Sequence, residues 1–164
     1  MISIIVCTDE NGLFAYNNNS LAPPNGDLKR FRLITSGHVV IMGRTTWESL
    51  PVNPLPDREN IVVTRLANHT DQHDNLTYCQ SLVDAIQTAI SEWPWKQIFL
   101  IGGEQIYNEG LFFADRILRT VIHHKVPENC IGFDPRYFHI PKEGWLLTAQ
   151  KDYGDHHAEV YERC

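Results

Sequence analysis

Two stretches of this chain set a glycine turn between a run of β-branched residues and a helix-forming segment. In Val40-Ile41-Met42-Gly43-Arg44-Thr45-Thr46-Trp47-Glu48 the run ends at Gly43, and Thr45 with Glu48 has capping-box spacing. Free N–H groups and the dipole converge at such a helix start and stabilise an anion, with Arg44 adding a mobile cation. A capped helix beside a surface arginine has the same pattern. The second stretch is Ile98-Phe99-Leu100-Ile101-Gly102-Gly103-Glu104-Gln105. Its glycines let backbone approach a pyrophosphate closely, and equally allow tight strand-to-helix packing; the full GxGxxG fingerprint is absent. A third run, Ile61-Val62-Val63-Thr64-Arg65, ends in a hydroxyl and a guanidinium that suit a phosphate monoester. The repetition within one short chain points to a dinucleotide.

Asp27 follows Pro23-Pro24-Asn25-Gly26 and precedes the apolar positions Leu28 and Phe31. Most aspartates in that setting are helix N-caps. One that faces inward among apolar side chains can instead serve proton transfer. Arg58, on the rigid turn Pro54-Leu55-Pro56-Asp57-Arg58, could grip a carboxylate through two hydrogen bonds or remain a surface charge. Lys29, Arg30 and Arg32 read as a solvated helix face. His69 and His73 have HxxxH spacing in a polar stretch without a third ligand, so no metal site is expected. His123-His124 and His156-His157 are strand neighbours that point to opposite faces and cannot chelate as pairs.

These residues need a scaffold, and the hydrophobic pattern supplies one. Ile2 to Cys7, Val39 to Met42, Ile61 to Thr64 and Ile98 to Ile101 read as strands apolar at nearly every position, which predicts a central, mostly parallel sheet covered on both faces. Asp27 to Thr35 and Ser81 to Trp93 read as crossover helices, the second capped by Ser81 and stopped by Pro94. Arg116 to His123, Gly144 to Asp152 and His157 to Arg163 are strand-like, with Tyr153-Gly154-Asp155 as a turn, so the sheet should end in an antiparallel hairpin. Glu10 to Gly26, Val52 to Asn60, Ala67 to Asn75 and Pro127 to Lys142 read as irregular; the first, long and punctuated by Gly and Pro, has the character of a lid.

Length and composition bound the function. With 164 residues, 43% hydrophobic and 21% charged, the chain has the size and balance of one α/β domain with its own core. A net charge of -6 is the wrong sign for neutralising phosphate backbones, so nucleic acid and anionic membranes are not expected partners. The apolar runs fall well short of the ~20 residues that span a bilayer. No signal peptide is expected, and the scattered Cys7, Cys79, Cys130 and Cys164 suit reduced thiols in a cytoplasmic protein without a structural disulfide.

Taken in order, these segments resemble dihydrofolate reductase across essentially the whole chain. The resemblance is carried by the opening Met1-Ile2-Ser3-Ile4-Ile5, Asp27-Leu28 with Phe31, and Val40-Ile41-Met42-Gly43-Arg44 followed by Thr46-Trp47-Glu48-Ser49. Pro54-Leu55-Pro56 with Arg58, Ile101-Gly102-Gly103 with Tyr107, and Thr120 complete it. It implies a monomeric enzyme of one-carbon metabolism and tetrahydrofolate biosynthesis, an antifolate target, that reduces 7,8-dihydrofolate with NADPH. Hydride would pass to C6 and a proton to N5 of the pterin. By the same resemblance Asp27 would bond the pterin and promote N5 protonation, Thr120 would bond the same group through water, and Leu21 would complete the catalytic set from the lid. Ile5, Val6, Leu28, Phe31, Leu50, Leu55 and Ile101 would hold the pterin and aminobenzoyl rings, and Arg58 would clamp the glutamate α-carboxylate. Cofactor positions would be Cys7, Phe14, Gly43, Arg44, Thr45, Thr46, Thr64, Arg65, Gln80, Ile101, Gly102, Gly103, Glu104, Gln105, Ile106 and Tyr107.

The chain departs from the family pattern in places. Ser20-Leu21-Ala22-Pro23-Pro24 stands where bacterial members usually carry Leu-Pro-Trp, and Glu104-Gln105 where Gly and a basic residue are common. Two rival readings remain: a pyrimidine reductase of riboflavin synthesis, which resembles the same fold and uses the same cofactor, and a catalytically weak nucleotide- or folate-binding protein. Asp27 and Arg58 argue against the first.

Overall fold

The computed structural model describes residues 1–17, 19–66 and 71–164. Asn18 of the expected lid, Ala67 to Thr70 of an expected loop, and with them His69 of the HxxxH pair, lie outside the described residues. In chain order the elements are β1 (Ile2–Asp9), β2 (Leu13–Tyr16), β3 (Asn19–Ser20), α1 (Asn25–Thr35), β4 (Val39–Gly43), α2 (Arg44–Ser49), β5 (Glu59–Val63) and β6 (Leu76–Cys79). They continue with α3 (Leu82–Glu92), β7 (Ile98–Leu100), α4 (Glu104–Gly110), β8 (Arg116–Ile122), α5 (Glu128–Ile131), β9 (Arg136–Tyr137), β10 (Trp145–Asp152) and β11 (His156–Arg163).

Eight strands form one sheet in the order β10-β11-β8-β1-β7-β4-β5-β6. From β8 to β6 all neighbours are parallel, while β11 runs antiparallel between β8 and β10. The mixed α/β sheet with a C-terminal hairpin is therefore as the hydrophobic pattern predicts. Val39, Ile41, Ile61 and Leu100 enter one buried cluster with Leu82, Ala85 and Ala89 of α3 and Ile106 of α4. Their strand neighbours Val40, Met42, Val62 and Phe99 enter a second cluster on the opposite face, with Trp47 of α2 and Phe31 of α1 against it. This two-sided cover is why the strands carry no polar alternation. Each such side chain withdrawn from water contributes about 1.5–3 kcal/mol before the entropy of ordering is charged against it.

Helix starts differ in one respect that matters for the site. Ser81 caps α3 as expected, accepting from the Asp84 amide at 3.1 Å. The capping box expected of Thr45 and Glu48 does not form: α2 begins directly at Arg44 after Gly43, Thr45 lies inside the helix, and Glu48 instead accepts from Arg44 at 2.6 Å. Nor is Asp27 a cap. Pro24 holds that position on α1, which leaves Asp27 in the first turn.

Two of the stretches read as irregular contain regular structure. Glu10 to Gly26 holds β2 and β3, and Pro127 to Lys142 holds α5 and β9; β3, β2 and β9 form a second, three-stranded sheet. Strands of two to four residues are too short for a period to register. The edge strand β6 escapes the pattern similarly, since its four residues are all half-buried.

Candidate active site

The strand order reverses around β1 and β7. The chain passes from β4 out to β6, returns to fill β7 between β1 and β4, and then crosses to β8 on the far side of β1. A crevice outside the C-terminal strand ends is the expected consequence of such a reversal. It opens here between α1, α2 and the segment that follows β7.

Asp27 stands at the wall of this crevice. The hydroxyl of Thr120 on β8 donates to its Oδ1 at 2.5 Å, and Arg30 one turn along α1 lies 3.9 Å away. Cys7 of β1 is directly opposite Thr120 in the parallel ladder. Burial, and secondarily the negative charge of Asp27, pushes the Cys7 thiol up to about 12, so it stays protonated at physiological pH. Beneath them Tyr107, buried and with its own ionisation pushed well above the phenol range, reaches the carbonyls of Ile5 at 3.1 Å and Ile101 at 3.0 Å. That hydroxyl ties β1 to the chain leaving β7. Phe14 packs edge-on against the Tyr107 ring, 5.2 Å between centroids.

A cavity of about 360 Å³ lies over these residues. Ile5, Val6 and Cys7 form its floor, Leu28 and Phe31 one wall, Leu50 and Ile101 the other, and Leu21 and Pro23 its rim. Among its described lining residues Asp27 is the one acid. Three residues expected at the substrate stand behind this surface. Thr120 reaches it only through Asp27. Leu55 belongs to the buried cluster against which Phe31 and Leu50 pack. Arg58 is 6% exposed, donating from Nε to Pro56 O at 2.8 Å and from NH1 to Thr35 Oγ1 at 3.1 Å, with its guanidinium 5.8 Å from the centre of the Phe31 ring. Burial, with the nearby Arg32 charge adding to it, lowers its pKa from the usual arginine value.

On the side of Phe14 and Ile101 the cavity continues through a waist of about 90 Å³ into a larger cleft of about 580 Å³. Gly43, Arg44, Thr45 and Thr46 line one side of that cleft, Gly103, Glu104, Gln105 and Ile106 another, and Thr64, Arg65 and Gln80 its far end. Among the described residues no side chain caps α2 or α4, so their first amides remain available to a bound acceptor. The space is shaped by glycine: a Cβ on Gly103 would stand 3.4 Å from Thr46 Oγ1, and Gly102 holds φ +116 against the Tyr107 hydroxyl. Arg65 has no ion-pair partner among the described residues. Of the residues expected on the cofactor side, Cys7 lies in the cavity floor and the others line the waist and the cleft, whose uncapped amides, hydroxyls and arginines suit a molecule with several phosphates.

Arg136 escaped the sequence reading. It lies on β9, opposite Ala15 of β2, and reaches the cleft from the small sheet. Only the pairing of two very short strands brings it there, and no spacing in the chain signals it. Asn60 was also missed: its side chain accepts from Leu55 N at 2.9 Å and donates to the carbonyls of Leu55 and Arg58, both at 3.0 Å. An amide directly before the apolar run Ile61-Val62-Val63 was the available signal.

The family model described as dihydrofolate reductase matches residues 1–163. A dihydrofolate reductase of Bacillus subtilis is 41% identical over 151 residues, spanning 92% of this chain and 83% of that protein. Two from Buchnera aphidicola subspecies are 37% identical over 74% of this chain and 71% of the relative, and 33% identical over 94% and 88%. A match of that extent, over a chain whose reversed strand order opens an acid-bearing cavity onto a phosphate-suited cleft, means that the chain belongs to the dihydrofolate reductase family.

Proposed function

We propose that the chain reduces 7,8-dihydrofolate to tetrahydrofolate, with NADPH as the reductant. The observation that carries this reading is Asp27: a carboxylate held from the sheet by Thr120 in the wall of a mainly apolar cavity, which continues through the waist into the cleft of Arg44, Thr64 and Arg65. The nicotinamide, when bound, supplies a hydride.

The chain's own residues do the rest. Asp27 accepts hydrogen bonds from the amino edge of the pterin and promotes protonation at N5. Leu28, Phe31, Leu50 and Ile101 give the flat rings an apolar slot and keep water from competing for that proton. The Thr120 hydroxyl, spent on Asp27, fixes the direction of the carboxylate. Arg58 lies beneath Phe31 with its plane set by Pro56 and Thr35, and is the cation for the substrate's glutamate tail. Thr64 and Arg65 suit a phosphate monoester, which supports NADPH over NADH.

Loss of NADPH absorbance that depends on added dihydrofolate is the test. No turnover with dihydrofolate, or equal turnover with an aminopyrimidine ribitol substrate, sinks the reading. The chain contains every residue used here, so it is expected to act as a monomer, which light scattering checks.

A further inference from the structure

Five residues line both the waist and the large cleft: Thr45, Thr46, Gly103, Glu104 and Arg136. A dinucleotide laid from the substrate cavity into the cleft must cross here, and the part that crosses is its pair of bridging phosphates. Glu104 brings a negative charge onto that path. Gln105 offers no cation, since its amide is turned to Glu109 at 2.7 Å. Arg44 and Arg65 line the cleft but not the waist.

Arg136 is differently placed. Its Nε and NH2 donate to Asp134 Oδ2 at 3.2 and 2.8 Å, which fixes the guanidinium plane from within its own segment. Its NH1 prong lies 3.4 Å from Glu104 Oε2, a long contact between side chains 41% and 43% exposed. Exposed pairs of this kind contribute little, so NH1 is readily given up to a stronger acceptor. Phosphate oxygens are such acceptors.

We propose that Arg136 is the cation for the bridging phosphates of the dinucleotide, exchanging Glu104 for them on binding, and that Glu104 opposes that binding. The inference rests on the dinucleotide reading above. It places that cation on a strand of the small sheet, and it makes the grip depend on a part of the phosphate chain that NADPH and NADH share.

The test is calorimetric titration of the whole protein with NADPH, NADH and adenosine 2′-monophosphate, which lacks both bridging phosphates. Arg136→Gln is expected to weaken both dinucleotides by about tenfold or more, the usual scale of a lost charge-assisted bond, and the monophosphate much less. Arg136→Lys should restore part of the loss, and Glu104→Gln should tighten both dinucleotides. Arg65→Ser, in contrast, should weaken NADPH and the monophosphate and spare NADH. Unchanged dinucleotide affinity in Arg136→Gln, a loss confined to NADPH, or weaker binding in Glu104→Gln overturns the proposal while leaving the dinucleotide reading intact. A wild-type protein that binds neither dinucleotide overturns both.

Discussion

The hydroxyl of Thr120 holds Asp27 from across the fold, at 2.5 Å between residues 93 positions apart. Asp27 belongs to α1, a helix on the rim of the crevice, and Thr120 to β8, next to the centre of the sheet. The acid is thereby referenced to the rigid sheet, which also carries Ile5, Val6 and Cys7 beneath the substrate cavity. A carboxylate referenced only to its own helix would follow every displacement of α1. Geometry of about this precision is what proton transfer needs.

Asp27→Asn should fold normally, because an amide oxygen still accepts from Thr120. Single-turnover hydride transfer at pH 7 should nevertheless fall by about 10²–10⁴, the range for a lost general acid. Activity should recover partly in acid, where dihydrofolate arrives already protonated at N5. Stopped-flow rates across pH check this, and an undiminished rate at neutral pH removes Asp27 from the mechanism.

Cys7 gives the carboxylate a second readout. With its thiol pushed up to about 12, the thiolate fraction at pH 8, four units below, is only ~10⁻⁴, and the thiolate is the reactive form. Exposed Cys130 and Cys164 should therefore react first with an aromatic disulfide reagent. The Asp27 charge adds to burial in raising the Cys7 thiol, so Asp27→Asn should lower it and speed Cys7 labelling. Mass spectrometry of the modified sites distinguishes the thiols, and Cys7 labelling as fast as Cys130 in the native protein contradicts the assignment.

The large sheet was legible because burial on both faces writes itself into sequence as continuous Val and Ile runs, as at Val39 to Met42. The Gly43 and Gly102-Gly103 junctions were legible for a related reason, since a strand turning at once into a helix requires small residues. What was not legible depends on pairings remote in sequence. Ala15 meets Arg136 only once β2 and β9 pair, and Thr120 meets Asp27 only once β8 lies beside β1. Thr45 failed as a cap because Gly43 ends its strand with α2 starting at the next residue, a boundary shift of two positions that spacing alone does not resolve.

Arg58→Lys should not be conservative. An ammonium cannot span Pro56 O, the Thr35 hydroxyl and a substrate carboxylate in one plane. Affinity for dihydrofolate should fall by about 2 kcal/mol or more, as for a desolvated charge pair that loses one partner. A smaller loss in unfolding free energy, about 1 kcal/mol, should accompany it from the broken internal bonds. Titration with a pterin analogue lacking the glutamate separates the two effects. If the variant loses affinity for that analogue as well, Arg58 acts through the cavity wall and does not bind the glutamate tail.

The lid prediction uses the small sheet. Ser20 and Asn19 pair with Ala15 and Tyr16, Leu21 N donates to Phe14 O at 2.7 Å, and Asn17 exchanges hydrogen bonds with Phe133, 2.9 Å from its amide and 2.8 Å to its side-chain oxygen. These contacts place Leu21 at the cavity rim, and Pro23-Pro24 should limit the travel of the segment before α1. Because Phe14 lines both the cavity and the waist, the same sheet borders both. Lids of this kind exclude water and complete a site, so they alter chemistry more than initial binding. Replacing Asn17 to Ala22 with a Gly-Ser linker should slow single-turnover hydride transfer by about tenfold or more, with a much smaller change in the dihydrofolate dissociation constant. Equal losses in both, or none in either, would show that the segment is ordinary surface and that another part of the chain closes the pocket.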